Sequence, residues 1–295
     1  MTQAAPSKFK EFRERCFIAL QMILPTHFLS WLIHHIAQIK NEPFKNFLIK
    51  AFVRGFKIDL SDAEFELGEN YKDFNTFFTR ALKTDARPLD PNPAALLSPV
   101  DGRISQMGPV KNGTLIQAKG HDYTVSELLG GTPAAKLFHN GSFCTIYLAP
   151  YDYHRIHMPA NGRLREWGYQ PGRLFSVNDV SAARIPNLFA RNERVVALFE
   201  TDFGPMAMVL VGALFVGSIE TTWQGKITPP HGQKAGQYSA PGQVVIMRGR
   251  EVGRFNMGST VILLGAPKMI TWHPQLAAGA VLRMGQGIGA LRKIV

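Results

Sequence analysis

The tripeptide Gly258-Ser259-Thr260 lies inside the hydrophobic stretch RFNMGSTVILL, residues 254–264. Both flanks have the pattern of strands, because apolar residues alternate before the tripeptide and form a continuous run after it. A serine hydroxyl is a poor nucleophile, so chemistry at Ser259 requires a neighbouring base. Without such a base, the same tripeptide indicates only a β-bulge at the glycine.

Two further stretches supply groups that could activate a serine. SPVDGRI, residues 98–104, contains Asp101 in a turn dipeptide, and APYDYHRIHMPANG, residues 149–162, contains His154 and His157 in a short loop. Imidazole is the usual proton carrier near neutral pH. A carboxylate that orients an imidazole, which then deprotonates a serine, is a general way to create a nucleophile. Taken separately, the two stretches indicate a β-turn and a polar surface loop.

A metal centre is the other use that the two histidines suggest, with Asp152 as a third ligand. No HExxH pattern or cysteine pair accompanies them, so we predict no metal site. Cys16 and Cys144 are too few for a disulfide framework, and we expect two reduced thiols in a cytoplasmic environment.

The carbonyl nearest to the Ser259 hydroxyl along the chain is that of its own neighbour, Gly258. Glycine has no Cβ, so the strained geometry that such an attack needs is cheaper there. Self-cleavage is therefore a possible use of this serine, beside the hydrolysis of an external ester.

The composition limits the classes of protein to consider. The chain has 295 residues, of which 45% are hydrophobic, so it forms one large domain or two small ones. Its 27 glycines and 19 prolines favour a β-rich fold with many turns. The net charge of +11 suits an anionic partner, but no helix-turn-helix, zinc-finger or RNP signature is present. We therefore predict no nucleic-acid partner.

Residues 17–39 are the most apolar part of the chain and contain Pro25, which predicts two short helices rather than one span. The second has an apolar face and a polar face, so it is amphipathic. Residues 1–60 carry nine basic and four acidic side chains. This combination favours an anionic membrane surface, with packing on the protein core or on a dimer partner as the alternative. A signal peptide is disfavoured because Glu11 and Glu14 interrupt its basic region and no cleavage site follows.

The remaining pattern predicts an α+β fold. Residues 61–83 have helical spacing with Ser61 and Asp62 as caps, and the four prolines of residues 85–99 indicate a boundary. Short β-type runs follow, separated by Gly, Pro and Asn. We predict an N-terminal helical, membrane-associating region over residues 1–85 and a mostly antiparallel β-sheet catalytic domain over residues 86–295.

FNMGSTVILL, SPVDG and YHRIHMPANG together resemble the pyruvoyl-dependent phosphatidylserine decarboxylases, of the prokaryotic type I. FFTRALKTDARPLD, YQPGRLFSVN and LFARNERV extend the resemblance over about residues 70–265. Family members usually read Leu-Gly-Ser-Thr where this chain has Met257 before Gly258, a substitution that nearly conserves volume. The resemblance implies a self-cleaving enzyme of phospholipid biosynthesis.

The resemblance also implies a role for each candidate residue. Asp101 would orient His157, and His157 would take the proton from Ser259, which attacks the Gly258 carbonyl. The resulting ester would eliminate to dehydroalanine, whose hydrolysis leaves ammonia and a pyruvoyl group at the new N-terminus as the cofactor. His154 would handle the substrate carboxylate or reprotonate the α-carbon.

The implied reaction converts phosphatidylserine to phosphatidylethanolamine and CO2 through a Schiff base with the pyruvoyl group. The implied partners are the α and β chains of one precursor, a second copy in a homodimer and an anionic membrane surface. We expect a peripheral position on the cytoplasmic side of the cell membrane. Two other classes stay open from the residues alone: a Ser/His/Asp hydrolase of a membrane ester and a noncatalytic β-rich membrane adaptor.

Overall fold

The computed structural model describes residues 8–67, 70–118, 120–215, 218–228, 238–239 and 242–294. Helices dominate the N-terminal part and strands the rest, which confirms the predicted α+β class. The helices of the described residues are α1 (Lys8–Ile23), α2 (Thr26–Ala37), α3 (Glu42–Phe56), α4 (Phe74–Phe78), α5 (Val125–Leu128), α6 (Asp179–Ala182) and α7 (Leu188–Arg191), with a 3-10 helix at Pro133–Phe138.

The strands follow in chain order from residue 95. They are β1 (Ala95–Leu97), β2 (Gly102–Pro109), β3 (Thr114–Ala118), β4 (His121–Thr124), β5 (Ser142–Leu148), β6 (Arg155–His157), β7 (Gly162–Gln170), β8 (Arg194–Thr201), β9 (Gly204–Val211), β10 (Ile219–Thr221), β11 (Gly225–Lys226), β12 (Tyr238–Ser239), β13 (Val245–Ile246), β14 (Glu251–Phe255), β15 (Ser259–Gly265), β16 (Ile270–Trp272), β17 (Val281–Leu282) and β18 (Gly287–Leu291).

A nine-stranded antiparallel sheet organises the described part of the chain, in the order β12-β7-β8-β9-β15-β5-β2-β17, with β13 also paired to β7. Its middle strands are continuous apolar runs whose side chains are buried on both faces. Such strands are typical of a sheet that is covered on both sides. A second sheet, β11-β10-β14-β6, brings β14 beside β6, and β14 leads directly into the segment before β15.

The predicted apolar runs coincide with the central strands β5, β8, β9 and β15. MAMVLVGALFVGSI, residues 206–219, is one apolar stretch in the sequence. The structure divides it between two strands, because β9 ends at Val211 and β10 begins at Ile219. Two residues of this run, Val216 and Gly217, lie outside the described residues.

The predicted break at Pro25 is confirmed, since α1 and α2 meet there at an angle of 85°. Neither helix is by itself long and apolar enough to cross a bilayer, although the bent pair together has the required length and composition. In α2 the buried residues include Ser30 and His34, while Phe28 and Trp31 are exposed. The polar face of this helix therefore packs on the protein and its apolar face points outward.

The helix predicted over residues 61–83 is wrong for most of its length. Only α4 forms, and its cap is Asp73, whose carboxylate accepts from the Thr76 amide at 2.7 Å. Ser61 does not cap a helix, since its amide donates to Asp59 Oδ1 in a local turn. Gly68 and Glu69 of this segment lie outside the described residues. The aromatic spacing that suggested a long helix instead comes from residues that pack on α3.

A small aromatic cluster joins α3 and α4. Phe77 is fully buried in it and contacts Phe52 and Tyr71 edge to face. Met257, directly before Gly258, packs against the same cluster. The N-terminal helices therefore contact the chain at the position where chemistry is expected.

Candidate active site

Ser259 is the first residue of β15, in the middle of the large sheet. It pairs with Leu148 at the end of β5, and the next residue, Thr260, pairs with both Tyr147 and Val211. Ser259 is completely buried, and its Oγ has no hydrogen-bond partner among the described residues. A buried polar atom without a partner is costly and unusual, which marks this hydroxyl as a candidate functional group.

Gly258 occupies the connection between β14 and β15, as predicted for a glycine between two strands. A Cβ built there meets only the Leu148 carbonyl oxygen, at 3.8 Å, which is an ordinary contact. The uncut chain therefore has no packing reason to require glycine at this position. Reactivity at the Gly258 carbonyl stays a prediction from the sequence.

His154 is placed beside this connection by the loop that leaves β5 at Leu148 and leads into β6, the strand that pairs with β14. Leu148 pairs with Ser259, and the carbonyl of His154 accepts from the Phe255 amide at 3.1 Å. The loop and the segment between Phe255 and Ser259 therefore face each other over a few residues. Of the two predicted histidines, His154 lies nearer along the strands to the candidate cleavage point.

The His154 ring is completely buried and held in one tautomer. Nδ1 donates to the carbonyl of Asp152 at 2.8 Å, so a neutral ring keeps its lone pair on Nε2. Nε2 has no hydrogen-bond partner among the described residues. Burial first and the charge of Arg80 second lower the pKa of His154 to about 3, against the opposing effect of its hydrogen bond to the Asp152 carbonyl. His154 is therefore a neutral imidazole at pH 7 with one unused acceptor.

His157 lies in β6, opposite Glu251 of β14, and its ring is held on both sides. Nδ1 donates to the Gly249 carbonyl at 2.9 Å, and Nε2 accepts from the Tyr153 hydroxyl at 3.0 Å. Burial lowers the pKa of His157, and the Gly249 carbonyl, the charge of Glu251 and, least, that of Asp101 oppose this effect.

Asp101 is bound by a different partner from the one that sequence reasoning assigned. Arg87 Nε donates to Oδ1 at 2.9 Å and Arg87 Nη2 donates to Oδ2 at 2.6 Å. The Met284 amide donates to Oδ1 at 2.8 Å. Arg87 also bridges to Asp62 at 2.7 Å, so one arginine links two acidic side chains.

The structure thus brings Asp101 and His157 into one electrostatic environment without joining them directly. Within the described residues, no hydrogen bond connects Asp101 to His157, or His157 to Ser259. The roles assigned to the three residues in Sequence analysis therefore stay predictions, and a direct Asp–His–Ser chain would require the side chains to rearrange. The Thr260 hydroxyl is likewise buried without a partner in the described chain.

Two cavities adjoin this region. An apolar cavity of about 260 Å³ is lined by Gly258, Met257 and Phe78, the ring of which contacts His154 at 4.1 Å between centroids. A polar cavity of about 450 Å³ is lined by Asp101, Asp152, Arg80, Arg87 and Tyr153, among others. Phe56, the last residue of α3, lines both cavities.

Sequence reasoning missed Arg87, Tyr153 and the Gly249 carbonyl. Arg87 lies within FFTRALKTDARPLD, and Tyr153 directly precedes His154, so both were inside stretches that carried the family resemblance. Neither residue type signals a positioning role by itself. The Gly249 carbonyl is a backbone acceptor, which has no signature in a sequence.

Comparison with known proteins identifies the family. A model described as phosphatidylserine decarboxylase matches residues 74–290, and one described as PSD matches residues 16–57. The chain is 52% identical over 281 residues to a phosphatidylserine decarboxylase proenzyme of Pseudomonas fluorescens, covering 94% of this chain and 98% of that protein. Relatives with the same name from Azotobacter vinelandii and Ectopseudomonas mendocina are 51% and 50% identical, with the same coverage.

A family model that matches most of the chain and relatives that are half identical over nearly full length lead to one conclusion. The chain belongs to the phosphatidylserine decarboxylase family, which confirms the resemblance found in its sequence.

The tautomer of His157 yields a prediction. The Tyr153 hydroxyl donates to Nε2 only while the ring is neutral, so this bond favours the neutral form. We expect Tyr153→Phe, which keeps the ring packing, to raise the pKa of His157 toward its ordinary value. Histidine ring titration by NMR measures this pKa, and Tyr151→Phe, which alters an exposed neighbour, is the matched control. An unchanged His157 titration in Tyr153→Phe would refute the assigned hydrogen bond.

Proposed function

We propose that this chain decarboxylates phosphatidylserine to phosphatidylethanolamine and CO2 after it cleaves itself between Gly258 and Ser259. The observation that carries the proposal is the Gly258-Ser259 pair itself, with a fully buried, unpartnered hydroxyl on one side and an apolar cavity on the other. The names of the half-identical relatives, phosphatidylserine decarboxylase proenzyme, support both the reaction and the processing.

In the proposed cleavage, Ser259 Oγ attacks the Gly258 carbonyl and an ester replaces the peptide bond. Loss of the α-proton of residue 259 then expels the carboxylate of Gly258 and leaves a dehydroalanine, which water converts to a pyruvoyl group and ammonia. The open space beside the Gly258 α-carbon and the lack of a Cβ support this step, because glycine adopts strained backbone geometry at lower cost. A pyruvoyl group supplies the electron sink that decarboxylation of an amino acid requires.

His157 is the proposed base for Ser259, and Asp101 is its proposed partner. The pKa of His157 is lowered by burial, so the ring is neutral at pH 7 and able to accept a proton. Its Nε2 lone pair is shared with the Tyr153 hydroxyl in the uncut chain. Tyr153 must release Nε2 before His157 can take the serine proton, which makes this hydrogen bond part of the proposed activation step.

His154 is the proposed proton carrier for the substrate. Its free Nε2, its buried neutral ring and its contact with Phe78 at the apolar cavity all favour a group that meets a reacting molecule there. The carbonyl of Asp152 fixes its tautomer, so the lone pair has one defined direction.

The N-terminal helices support a membrane position. In α1 the buried residue is Gln21, which bonds to the Ser176 amide at 2.7 Å, whereas Phe12 and Ile23 are exposed. With α2 arranged the same way, the polar faces attach the helices to the protein and the apolar faces point away. Exposed apolar surface of this kind is typical of a membrane or protein contact.

We propose that this surface lies on the cytoplasmic side of the cell membrane as a peripheral contact. Five more basic than acidic residues within positions 1–60 favour anionic lipid. A second copy of the chain is the alternative partner for the exposed faces of α1 and α2. The mass of the protein in detergent tests for this proposed homodimer, and binding to mixed lipid vesicles tests for the membrane contact.

Cleavage is tested by Ser259→Ala. We expect a single uncut chain without activity, because no oxygen remains to attack Gly258. The measurement is intact mass, with Ser142→Ala as the control, since Ser142 also has a buried unpartnered hydroxyl in the same sheet. A cleaved Ser259→Ala chain would exclude the mechanism. An uncut wild type that reacts with a serine-directed phosphonate would instead support a hydrolase, and an uncut, unreactive wild type an adaptor.

The two histidines should separate maturation from turnover. We expect His157→Ala to block self-cleavage, since it removes the proposed base, and His154→Ala to cleave at least in part but to decarboxylate poorly. A time course of fragment appearance and CO2 release measures the two steps. The opposite pattern, with His157→Ala maturing normally and His154→Ala uncut, would exchange the two roles.

Membrane binding should depend on the exposed face of α2. We expect Phe28→Ser with Trp31→Ser to weaken binding to phosphatidylglycerol vesicles by at least about tenfold, because burying one large apolar side chain is worth about 1.5–3 kcal/mol. Vesicle flotation measures the binding, and Ile116→Ser, an equally exposed residue of β3, is the control. Higher salt should weaken binding as well. Binding that ignores both changes would favour a protein partner for this face.

A further inference from the structure

Arg80 is a buried cation that the proposed cleavage does not use. It follows α4 and its residue is only 5% exposed. Its Nη2 donates to the Tyr151 carbonyl at 3.2 Å, and its guanidinium lies 5.6 Å from the centre of the Phe77 ring. Its Nη1 is buried and has no hydrogen-bond partner among the described residues, where Arg80 also makes no ion pair.

Such an arrangement is costly unless something else compensates the charge. A buried charge without a counter-ion loses its hydration and regains little, and burial accordingly lowers the pKa of Arg80. Asp101 and Asp152 are the nearest acids on the same cavity. Asp101 is already bound by Arg87 and a backbone amide, and Asp152 Oδ2 accepts from the Ala149 amide at 2.7 Å. Neither carboxylate hydrogen-bonds to Arg80.

The position of Arg80 connects this unpartnered charge with the candidate active site. Arg80 lines the polar cavity of about 450 Å³, and Phe56 lines both this cavity and the apolar cavity of Gly258. The charge of Arg80 also lowers the pKa of His154, which places the guanidinium within electrostatic reach of that ring. The unpartnered charge therefore faces a cavity that shares a lining residue with the cavity beside Gly258.

We infer that Arg80 binds an oxyanion of the substrate head group, either the phosphate or the carboxylate of phosphatidylserine. This inference rests on the proposed function and adds a binding residue to it. The guanidinium group has a planar fork of donors that matches both oxyanions. Its buried position excludes water, which strengthens such a charge-assisted hydrogen bond. The cavity also presents Lys57 and Arg283, which add positive charge at its rim.

The acidic residues of the cavity do not oppose this assignment. Asp62 is bridged to Arg87, and Asp59 accepts from the Ser61 amide at 2.8 Å, so each has a local partner. The head group of phosphatidylserine also carries an ammonium group, which a cavity of mixed charge accommodates. A single unpaired guanidinium among paired acids selects the anionic part of such a head group.

The test uses uncut protein so that it does not depend on self-cleavage. In a Ser259→Ala background, binding of short-chain dihexanoyl phosphatidylserine is measured by calorimetry with Arg80, Arg80→Gln and Arg80→Lys. We expect Arg80→Gln to weaken binding at least about tenfold and Arg80→Lys to weaken it less, since lysine keeps the charge but loses the fork. Arg103→Gln removes an exposed arginine that bonds to the Gly279 carbonyl and is the charge-matched control.

Dihexanoyl phosphatidylethanolamine distinguishes the two oxyanions, because it keeps the phosphate and lacks the carboxylate. If its binding weakens equally in Arg80→Gln, Arg80 holds the phosphate; if only phosphatidylserine binding weakens, Arg80 holds the carboxylate. Circular dichroism shows which variants fold. If Arg80→Gln does not fold, the affinity of Arg80→Lys for the lipid tests the inference instead. Unchanged affinity in a folded Arg80 variant, or no binding by the parent chain, would overturn the inference, whereas failure of cleavage is seen separately in wild type.

Discussion

The pairing of Ser259 with Leu148 is the constraint on which the rest of the site depends. It fixes the serine at the first position of a strand that is covered on both faces, so its hydroxyl is removed from water and left without a partner. A free serine at a surface would lose its reactivity to competing water. Gly258 lies directly before Ser259, where the chain leaves one sheet and enters the other.

The two histidines share a short segment but differ in their surroundings. His157 is satisfied on both ring nitrogens, whereas His154 is satisfied on one and its ring contacts Phe78. Burial lowers the pKa of both, so neither carries a charge at neutral pH. In the proposed function, Tyr153 must release the ring of His157, whereas Nε2 of His154 already has no partner among the described residues, so the two rings suit two successive reactions.

Much of the fold was predictable because it follows from local pattern. Pro25 removes a helix hydrogen bond wherever the chain lies, and the apolar runs around Ser259 suit a buried strand in any sheet. The helix predicted over residues 61–83 was wrong outside α4. The regularly spaced phenylalanines lie within α4 and pack on α3, so their spacing gave no information on the residues before and after them. In the site, residue types were predictable but partners were not. The Arg87–Asp101 pair depends on how a proline-rich segment crosses the domain, which no local pattern records.

Each of the helices α1 and α2 has one face that packs on the protein and one face that is exposed. Gln21 and Ser30 are buried on the protein side, together with Ala37 and part of Ile18, while the large apolar side chains of the outer faces stay exposed. Behind them, α3 ends at Phe56, which lines both an apolar cavity and a polar cavity. In the proposed membrane position, a lipid would keep its tails with the exposed helices while its head group reaches charged residues. Polar and apolar groups are therefore separated in three places: on the two faces of each helix, between the two cavities, and between the head group and the tails of the lipid.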